Sequence, residues 1–322
     1  MSQHTIFPKT QFILDLKKTI NDFVNSNLKS VHQYAEQTLN QPFKKPTEYH
    51  HDFSSLLFSN LNLMITAIEE DQLEDISTWA HALFNSDYRS EFYTLIPLQA
   101  IKTDLQKTLL LESNSLYQEH FLREFSDKIV RYDFSNFKTH FSKALGLVEK
   151  IVPEFYTEIT YFVKEIYILN QRPPKQGSGM GVFGALFFSH EVLSPSIIDA
   201  YERIIHESAH LFLYAVSFID PIVLNDTTEQ YHHGLREDLR PMIAVFHACF
   251  VLGRMIFSLE KLLTRAKKNP ALLNADEINR ADTLLTHYKE RLTISLQSLR
   301  SDGKLTKVGK KLIQPILEMG TH

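Results

Sequence analysis

The chain has 322 residues, of which 43% are hydrophobic and 11% aromatic, enough for one large packed domain or two ordinary ones. Its formal net charge of −4 provides no basic field for phosphates, so nucleic acid is not an expected partner. The single cysteine, Cys249, excludes a disulfide within the chain and any cysteine-based zinc or iron–sulfur cage.

Signals for export or membrane insertion are not expected in this sequence. The N-terminal segment lacks a basic stretch followed by an apolar one, and no stretch of about 18 apolar residues is expected anywhere in the chain. A reducing compartment also suits a chain with one cysteine. The sequence therefore predicts a soluble cytoplasmic protein with no membrane partner.

Residues 1–132 are predicted to form an all-helical N-terminal region. Apolar residues recur at three- and four-residue spacing between Thr10 and Leu145, and the first 145 residues contain no glycine. His50 and His51 are adjacent and point apart on a helix, so we interpret them as a solvated pair. With no catalytic grouping, this region is expected to act as a scaffold or to bind a partner.

Residues 133–322 are predicted to form the second region, which carries the chemistry. Helical spacing continues to Val152, and two apolar segments that end at Leu169 and Ser189 indicate two short strands. Between them, the glycine-rich stretch 176–181 is interpreted as a flexible, hairpin-like turn. It lacks the Gly-Lys-Ser/Thr ending of a phosphate-binding loop.

The next helix carries the pentapeptide His206-Glu-Ser-Ala-His210. Ser196 followed by Asp199 predicts a capped helix start, and neither Gly nor Pro interrupts residues 197–218. Residues four apart lie one turn above each other, so the two histidines project from one face and can hold one metal ion. This is the H-E-x-x-H arrangement. The alternative is a pair of half-buried histidines without a metal.

A third ligand would decide the kind of enzyme. Glu229 follows His210 by 19 positions, near the spacing of a thermolysin-type zinc peptidase, but it falls in a loop-like stretch. His247 lies on a predicted helix that begins near Pro241 and ends near Lys261. We therefore prefer His247 as the third ligand.

His247 has an arginine on either side at helical spacing. Arg240 precedes it by seven residues and Arg254 follows it by seven, so the three are predicted to share one polar stripe on an apolar helix. A buried polar residue needs a polar partner. The alternative is a core histidine bonded to a backbone carbonyl. Cys249, on the opposite side, is interpreted as a small core residue.

These motifs together resemble a known family. The segments His206-Glu-Ser-Ala-His210-Leu, Arg236-Glu-Asp-Leu-Arg240-Pro-Met, Phe246-His247-Ala and Gly184-Ala-Leu-Phe-Phe-Ser189 are similar to the bacterial H-E-x-x-H peptide-modification family. The resemblance spans about residues 141–254, with Met242 and Phe246 where leucine is usual. It implies a non-haem iron(II), 2-oxoglutarate-dependent β-hydroxylase whose partner is a ribosomally made precursor peptide.

Such an oxygenase needs three protein ligands on one face and open positions for a keto acid and dioxygen. The expected ligands are His206, His210 and His247. The cosubstrate also needs a cation for its distal carboxylate, and arginine binds carboxylates bidentately. Arg240 is the first candidate, followed by Arg254 and Arg236. For Arg236, an ion pair with a neighbouring acidic residue is the preferred interpretation.

Glu207 has a different role in each hypothesis. In a zinc peptidase it is the general base for zinc-bound water, whereas in an oxygenase it orients a ligand histidine or the substrate. A third hypothesis is a non-catalytic helical binding protein that retains no metal. Two further helices, near 275–299 and 304–319, have no assigned function. The expected fold class is mainly α, a multi-helical enzyme with a small β element before the metal-binding helix.

Overall fold

The computed structural model describes residues 10–46, 53–86, 88, 94–97, 101, 108, 110, 134–169, 176–193, 196–234 and 238–319. Over these residues the fold is mainly α with one small sheet, as the sequence predicts. The chain forms two compact units. Unit 1 contains Met1–Ile13, Ser135–Ile159 and Leu193–His322, and unit 2 contains Leu14–Phe134 and Thr160–Val192. The division predicted after residue 132 stays a prediction.

The helices of the N-terminal region owe their form to regular apolar spacing. They are α1 (Thr10–Leu39), α2 (Ser55–Glu69) and α3 (Leu73–Asn85). Helix α1 buries Leu16, Ile20, Val24, Leu28 and Val31, which recur every three or four residues. At the start of α2, the Ser54 hydroxyl accepts a hydrogen bond from the Leu56 amide at 3.1 Å. The Glu165 carboxylate accepts another from the Ser55 amide at 2.8 Å, so two amide groups are satisfied there.

The small sheet belongs to unit 2. Its strands are β1 (Thr94–Pro97), β2 (Glu165–Leu169), β3 (Gln176–Ser178) and β4 (Ala185–Ser189), in the order β1-β2-β4-β3. β2 pairs in parallel with β1 and with β4, so that Glu165 lies opposite both Thr94 and Ala185. β3 pairs antiparallel with β4. Every residue of β2 and β4 is buried, which explains their nearly continuous apolar sequences.

Two predictions for this region are wrong. The N-terminal region is not entirely helical, because Thr94–Pro97 forms a strand too short to show a period of two. The stretch 176–181 is not all turn, because Gln176–Ser178 pairs with β4. The hairpin-like connection joins β3 to β4 and not the two predicted strands, because β2 and β4 pair in parallel. It ends at Gly184, which has a φ of +98°. A Cβ there would lie 3.3 Å from the Lys164 side chain, so glycine suits both the backbone and the packing.

The remaining helices carry the predicted chemistry and the C-terminal part of the chain. They are α4 (Phe134–Ile151), α5 (Pro153–Phe162), the short α6 (His190–Leu193), α7 (Ile197–Ser217), α8 (Met242–Lys268), α9 (Ala275–Asp302) and α10 (Lys307–Met319). Helix α8 packs against α7, α9 and α10 within unit 1. Gly253 permits the approach of α10, since a Cβ there would lie 2.6 Å from the Ile316 side chain.

Helix α8 is the central core helix of unit 1 and is more apolar than expected from the sequence. An 18-residue window within Met242–Lys268 has a mean hydropathy of 1.9 and is 78% buried in the fold. The expectation that no stretch of this length is so apolar is therefore wrong. Burial on several sides accounts for the composition, because a helix surrounded by other helices is hydrophobic all round.

Candidate metal site

Helix α7 presents His206 and His210 on one face. Its start is capped as predicted: the Ser196 hydroxyl accepts a hydrogen bond from the Asp199 amide at 3.1 Å and donates one to the Asp199 carboxylate at 2.7 Å. Arg280 of α9 binds the same carboxylate at 2.6 Å. The two imidazole centroids are 5.1 Å apart, as the four-residue spacing predicts.

Helix α8 brings His247 to this pair. The Nδ1 atoms of His210 and His247 lie 3.2 Å apart, and the ring centroids are separated by 5.4 Å. Two nitrogens that bind one metal at about 2.1 Å lie roughly 3 Å from each other, so this separation suits a shared ion. In the present arrangement the same two atoms are at hydrogen-bond distance. Among the described residues no three His, Cys, Asp or Glu side chains already converge as a complete metal cluster, and ligation stays a prediction.

Burial keeps two of these histidines neutral. Desolvation lowers the pKa of His210 well below its usual value, and the nearby histidines His206, His247 and His233 lower it further. Desolvation, with a smaller contribution from His233, lowers the pKa of His247 to about 4. Both imidazoles therefore offer a nitrogen lone pair at neutral pH, which a metal ligand requires.

His206 differs because two carboxylates lie beside it. Glu202 Oε1 is 3.6 Å from its Nδ1, and Glu207 Oε1 is 3.8 Å from its Nε2. Desolvation alone would lower the pKa of His206, but the hydrogen bond and charge of Glu202 and the charge of Glu207 together raise it above 6.5. The sequence analysis did not single out Glu202. Its position four residues before His206 was the available signal.

The donor set fits a metal ion. Two imidazoles are neutral, and the third has one ring nitrogen directed at a buried carboxylate. Ligand histidines usually give their second ring N–H to such a group, which leaves the other nitrogen for the metal. His206 Nδ1 and Glu202 Oε1 are both buried, and neither has a hydrogen-bond partner within the described part of the chain. The two atoms lie 3.6 Å from each other.

Two more residues near the histidines were missed. Tyr214, one turn after His210 on α7, has its ring 5.5 Å from the His247 ring. His233 is buried and interacts electrostatically with His210 and His247. Its backbone oxygen accepts a hydrogen bond from the Ser295 hydroxyl of α9 at 2.8 Å. Four-residue spacing could have identified Tyr214, whereas His233 lies in a loop without periodicity.

The predicted arginines have different surroundings. Arg236 lies outside the described residues. Arg254 is buried, and its guanidinium binds the Glu158 carboxylate through two hydrogen bonds of 2.5 and 3.0 Å. It also lies over three aromatic rings, those of Phe155, Phe212 and Phe250, at 4.4 to 4.8 Å from their centroids. The fork of Arg254 therefore already holds a carboxylate.

Arg240 lies at the edge of unit 1 and precedes α8. Its backbone exchanges two hydrogen bonds with Tyr231, at 2.8 and 2.9 Å. Its side chain is 39% exposed and pairs with Asp238 at 2.5 Å. The predicted stripe therefore holds only for His247 and Arg254, because Arg240 comes before the cap residue Pro241.

Glu229, the carboxylate ligand that a zinc peptidase would need, is exposed in a loop. The Tyr231 hydroxyl donates a hydrogen bond of 2.5 Å to its carboxylate. This is the loop context that the sequence indicated.

No protein-family model matches this sequence, and no curated protein matches it at a significant level. The resemblance to the H-E-x-x-H peptide-modification family therefore rests on the quoted motifs.

Proposed function

We propose that this chain is a non-haem iron(II), 2-oxoglutarate-dependent enzyme that hydroxylates a β-carbon in a ribosomally made peptide. The observation that supports it best is that His210 lies beside both His206 and His247, which come from two helices, with His210 Nδ1 and His247 Nδ1 only 3.2 Å apart. Imidazoles bind iron, zinc and other transition metals. The motif resemblance supplies the choice of iron and the cosubstrate.

The three histidines would hold the metal. Because burial keeps His210 and His247 neutral, their lone pairs are available without the loss of a proton. When bound, iron with 2-oxoglutarate and dioxygen supplies the oxidising power needed to hydroxylate an unactivated carbon. The chain's own contribution is to fix the ligands on two packed helices.

Arg240 is the proposed anchor for the distal carboxylate of 2-oxoglutarate. Its present partner, Asp238, is 56% exposed, and ion pairs between exposed side chains contribute little stability. A dicarboxylate can therefore displace Asp238 at small cost. Arg240 Nε is also buried without a hydrogen-bond partner within the described residues, which leaves a donor for a second contact. Arg254, in contrast, would have to break a buried pair with Glu158.

A zinc peptidase is the second candidate, and the position of Glu207 favours it. Glu207 Oε1 lies 3.8 Å from His206 Nε2, the nitrogen that would face a metal. A general base of an H-E-x-x-H peptidase acts from this position on metal-bound water. In the oxygenase the same carboxylate would orient the substrate. The exposed position of Glu229 is the reason we place the peptidase second.

The two functions differ in what happens to a peptide. The test uses the full chain, iron(II), 2-oxoglutarate, air and the short peptides encoded beside its gene, with mass spectrometry of the products. We expect one peptide to gain a single oxygen atom with its backbone intact, while succinate forms. A peptide cut in two by the zinc-loaded protein, with cutting abolished by Glu207→Gln, would establish the peptidase instead.

A further inference from the structure

We infer that Glu202 is a positioning residue that fixes the ring of His206 for metal binding. The inference rests on the proposed function, since it takes His206 to be a metal ligand. Glu202 lies outside the H-E-x-x-H motif, one helical turn before it. Its carboxylate would hold the proton of His206 on Nδ1 and thereby keep the Nε2 lone pair free for the metal.

The two carboxylate oxygens of Glu202 lie beside different side chains. One of them, Oε2, lies 3.1 Å from Arg203 Nε. The other, Oε1, lies 3.6 Å from His206 Nδ1. These last two atoms are buried and have no hydrogen-bond partner among the described residues. A shift of either side chain by a few tenths of an ångström would bring them to hydrogen-bond distance. A charged acceptor makes such a bond strong and the imidazole a better ligand.

Helix α9 places a second polar group at Glu202. Tyr288 is buried, and burial together with the charge of Glu202 and a hydrogen bond to it raises the pKa of its hydroxyl. About one turn before Glu202 on α7, Asp199 is bound by Arg280 of α9 at 2.6 Å. Two polar contacts thus join α9 to the N-terminal half of α7. Of these two contacts, the one from Tyr288 acts on Glu202 itself.

A purely structural role for Glu202 makes a different prediction. A buried carboxylate is destabilising unless it is paired, and Arg203 alone could serve as its partner. In that case removal of Glu202 would change stability, and His206 would keep its tautomer. If Glu202 positions His206, removal changes the tautomer and weakens metal binding about 10- to 100-fold, the usual effect of losing a partner of a ligand histidine.

The test compares three variants of the full chain. Glu202→Met removes the acceptor at similar volume, Glu202→Gln keeps an acceptor without charge, and Arg203→Met is the matched control that leaves the carboxylate in place. Cobalt(II), followed by its visible absorption, is the metal probe. Nitrogen-15 NMR of labelled histidine, with the His206 signals assigned through His206→Ala, gives the tautomer of the metal-free protein.

We expect His206 to carry its proton on Nδ1 in the wild type and to lose this preference in Glu202→Met. Cobalt affinity should fall about 100-fold in Glu202→Met, about tenfold in Glu202→Gln and less than threefold in Arg203→Met. An unchanged tautomer with cobalt affinity within threefold in Glu202→Met would overturn the inference. If Glu202→Met does not fold, Glu202→Gln decides, and affinity within twofold of wild type overturns it.

A wild-type chain that binds no cobalt, iron or zinc would instead contradict the proposed function. The tautomer measurement on the metal-free protein still decides the inference in that case. A His206 ring without preference for Nδ1–H would overturn it, and a preference that Glu202→Met abolishes would support it.

Discussion

Arg240 and Arg254 flank His247 at equal distances along the chain, yet they lie in opposite environments. Arg254 is 1% exposed, binds Glu158 through two hydrogen bonds and lies over aromatic rings of three helices. Arg240 is 39% exposed, and the ion-pair partner of its side chain among the described residues is Asp238, which is itself mostly exposed. Sequence spacing alone predicts that both share one polar stripe with His247. Arg254 is therefore a core residue, whereas Arg240 is accessible to a ligand.

The comparison also shows why a buried pair is a poor ligand site. Burial raises the pKa of Glu158, and the charge of Arg254 opposes that rise only in part. A carboxylate ligand that bound Arg254 would displace Glu158 and leave its charge buried and unpaired in an apolar environment. At Arg240 the displaced Asp238 returns to water, so the exchange is nearly neutral.

The largest expected effect is on stability. Glu158→Ala leaves Arg254 buried and unpaired, so the free energy of unfolding should fall by about 3 to 5 kcal/mol. Asp238→Ala, the matched change at Arg240, should alter it by less than about 1 kcal/mol. Urea denaturation measures both. Equal losses in the two variants would remove the contrast between the arginines.

The double variant Glu158→Met with Arg254→Met is the control for this prediction. It removes both charges at similar volume, so most of the loss seen in Glu158→Ala should be recovered. A double variant as unstable as Glu158→Ala would mean that packing on the aromatic rings, and not the unpaired charge, sets the cost.

The second prediction concerns His247, where burial disfavours the charged form of the imidazole. Because the pKa of His247 is about 4 in the fold and about 6.5 when unfolded, the unfolded chain binds more protons between these values. The free energy of unfolding of the metal-free protein should therefore fall as the pH falls from 6.5 to 4, on the order of 3 kcal/mol from this residue. Above pH 7 this contribution is constant.

Urea denaturation at several pH values, in buffers freed of metal, measures this slope. His206 acts in the opposite direction, since a raised pKa gives a contribution that is lost as the pH rises. His247→Asn, which cannot be protonated, should make the acid limb less steep, and His210, whose pKa is also lowered, should account for a remaining slope. The same slope in wild type and His247→Asn would contradict the assignment.

The third prediction tests whether Arg240 binds the cosubstrate. If Arg240 holds 2-oxoglutarate, Arg240→Met should raise the concentration needed for half-maximal succinate formation about 100-fold, because a charge-assisted bidentate contact is lost. Iron content should not change. Arg240→Lys, which keeps the charge without the fork, should lie between the two. An unchanged requirement in Arg240→Met would move the role to Arg236 or Arg254.

The smallest effect concerns helix α9. Tyr288→Phe removes the hydroxyl beside Glu202 but leaves the carboxylate and its volume in place. We expect cobalt affinity to weaken by a few fold, less than in Glu202→Gln, since the lost group acts on the ligand only through Glu202. Calorimetry with cobalt(II) measures it. A loss larger than that of Glu202→Gln would indicate that Tyr288 acts on the metal site by another route.

Local signals predicted the parts of this protein that depend on neighbours in the chain. The cap formed by Ser196 and Asp199, the course of α7 and the shared face of His206 and His210 all follow from spacings of three or four residues. The start of α8 near Pro241 follows from the same rules. These features need no knowledge of the tertiary fold.

Contacts between distant residues could not be predicted. Glu158 and Arg254 are 96 positions apart, and nothing in either segment marks them as a pair. The strand Thr94–Pro97 becomes a strand because it pairs with β2, 71 positions later at Thr94 and Glu165. His233 reaches the histidines because Ser295 of α9 holds its loop. In each case the role of a residue depends on a partner that is distant in the sequence and close only in the folded protein.

The central claim is that three histidines from α7 and α8 form one iron site. Protein purified without oxygen and reconstituted with iron(II) should hold about one iron per chain, measured by elemental analysis after desalting. His247→Ala should lose iron as completely as His206→Ala, because removal of any one of three ligands disables the site. Full iron retention in His247→Ala, together with metal loss in Glu229→Ala, would contradict this account.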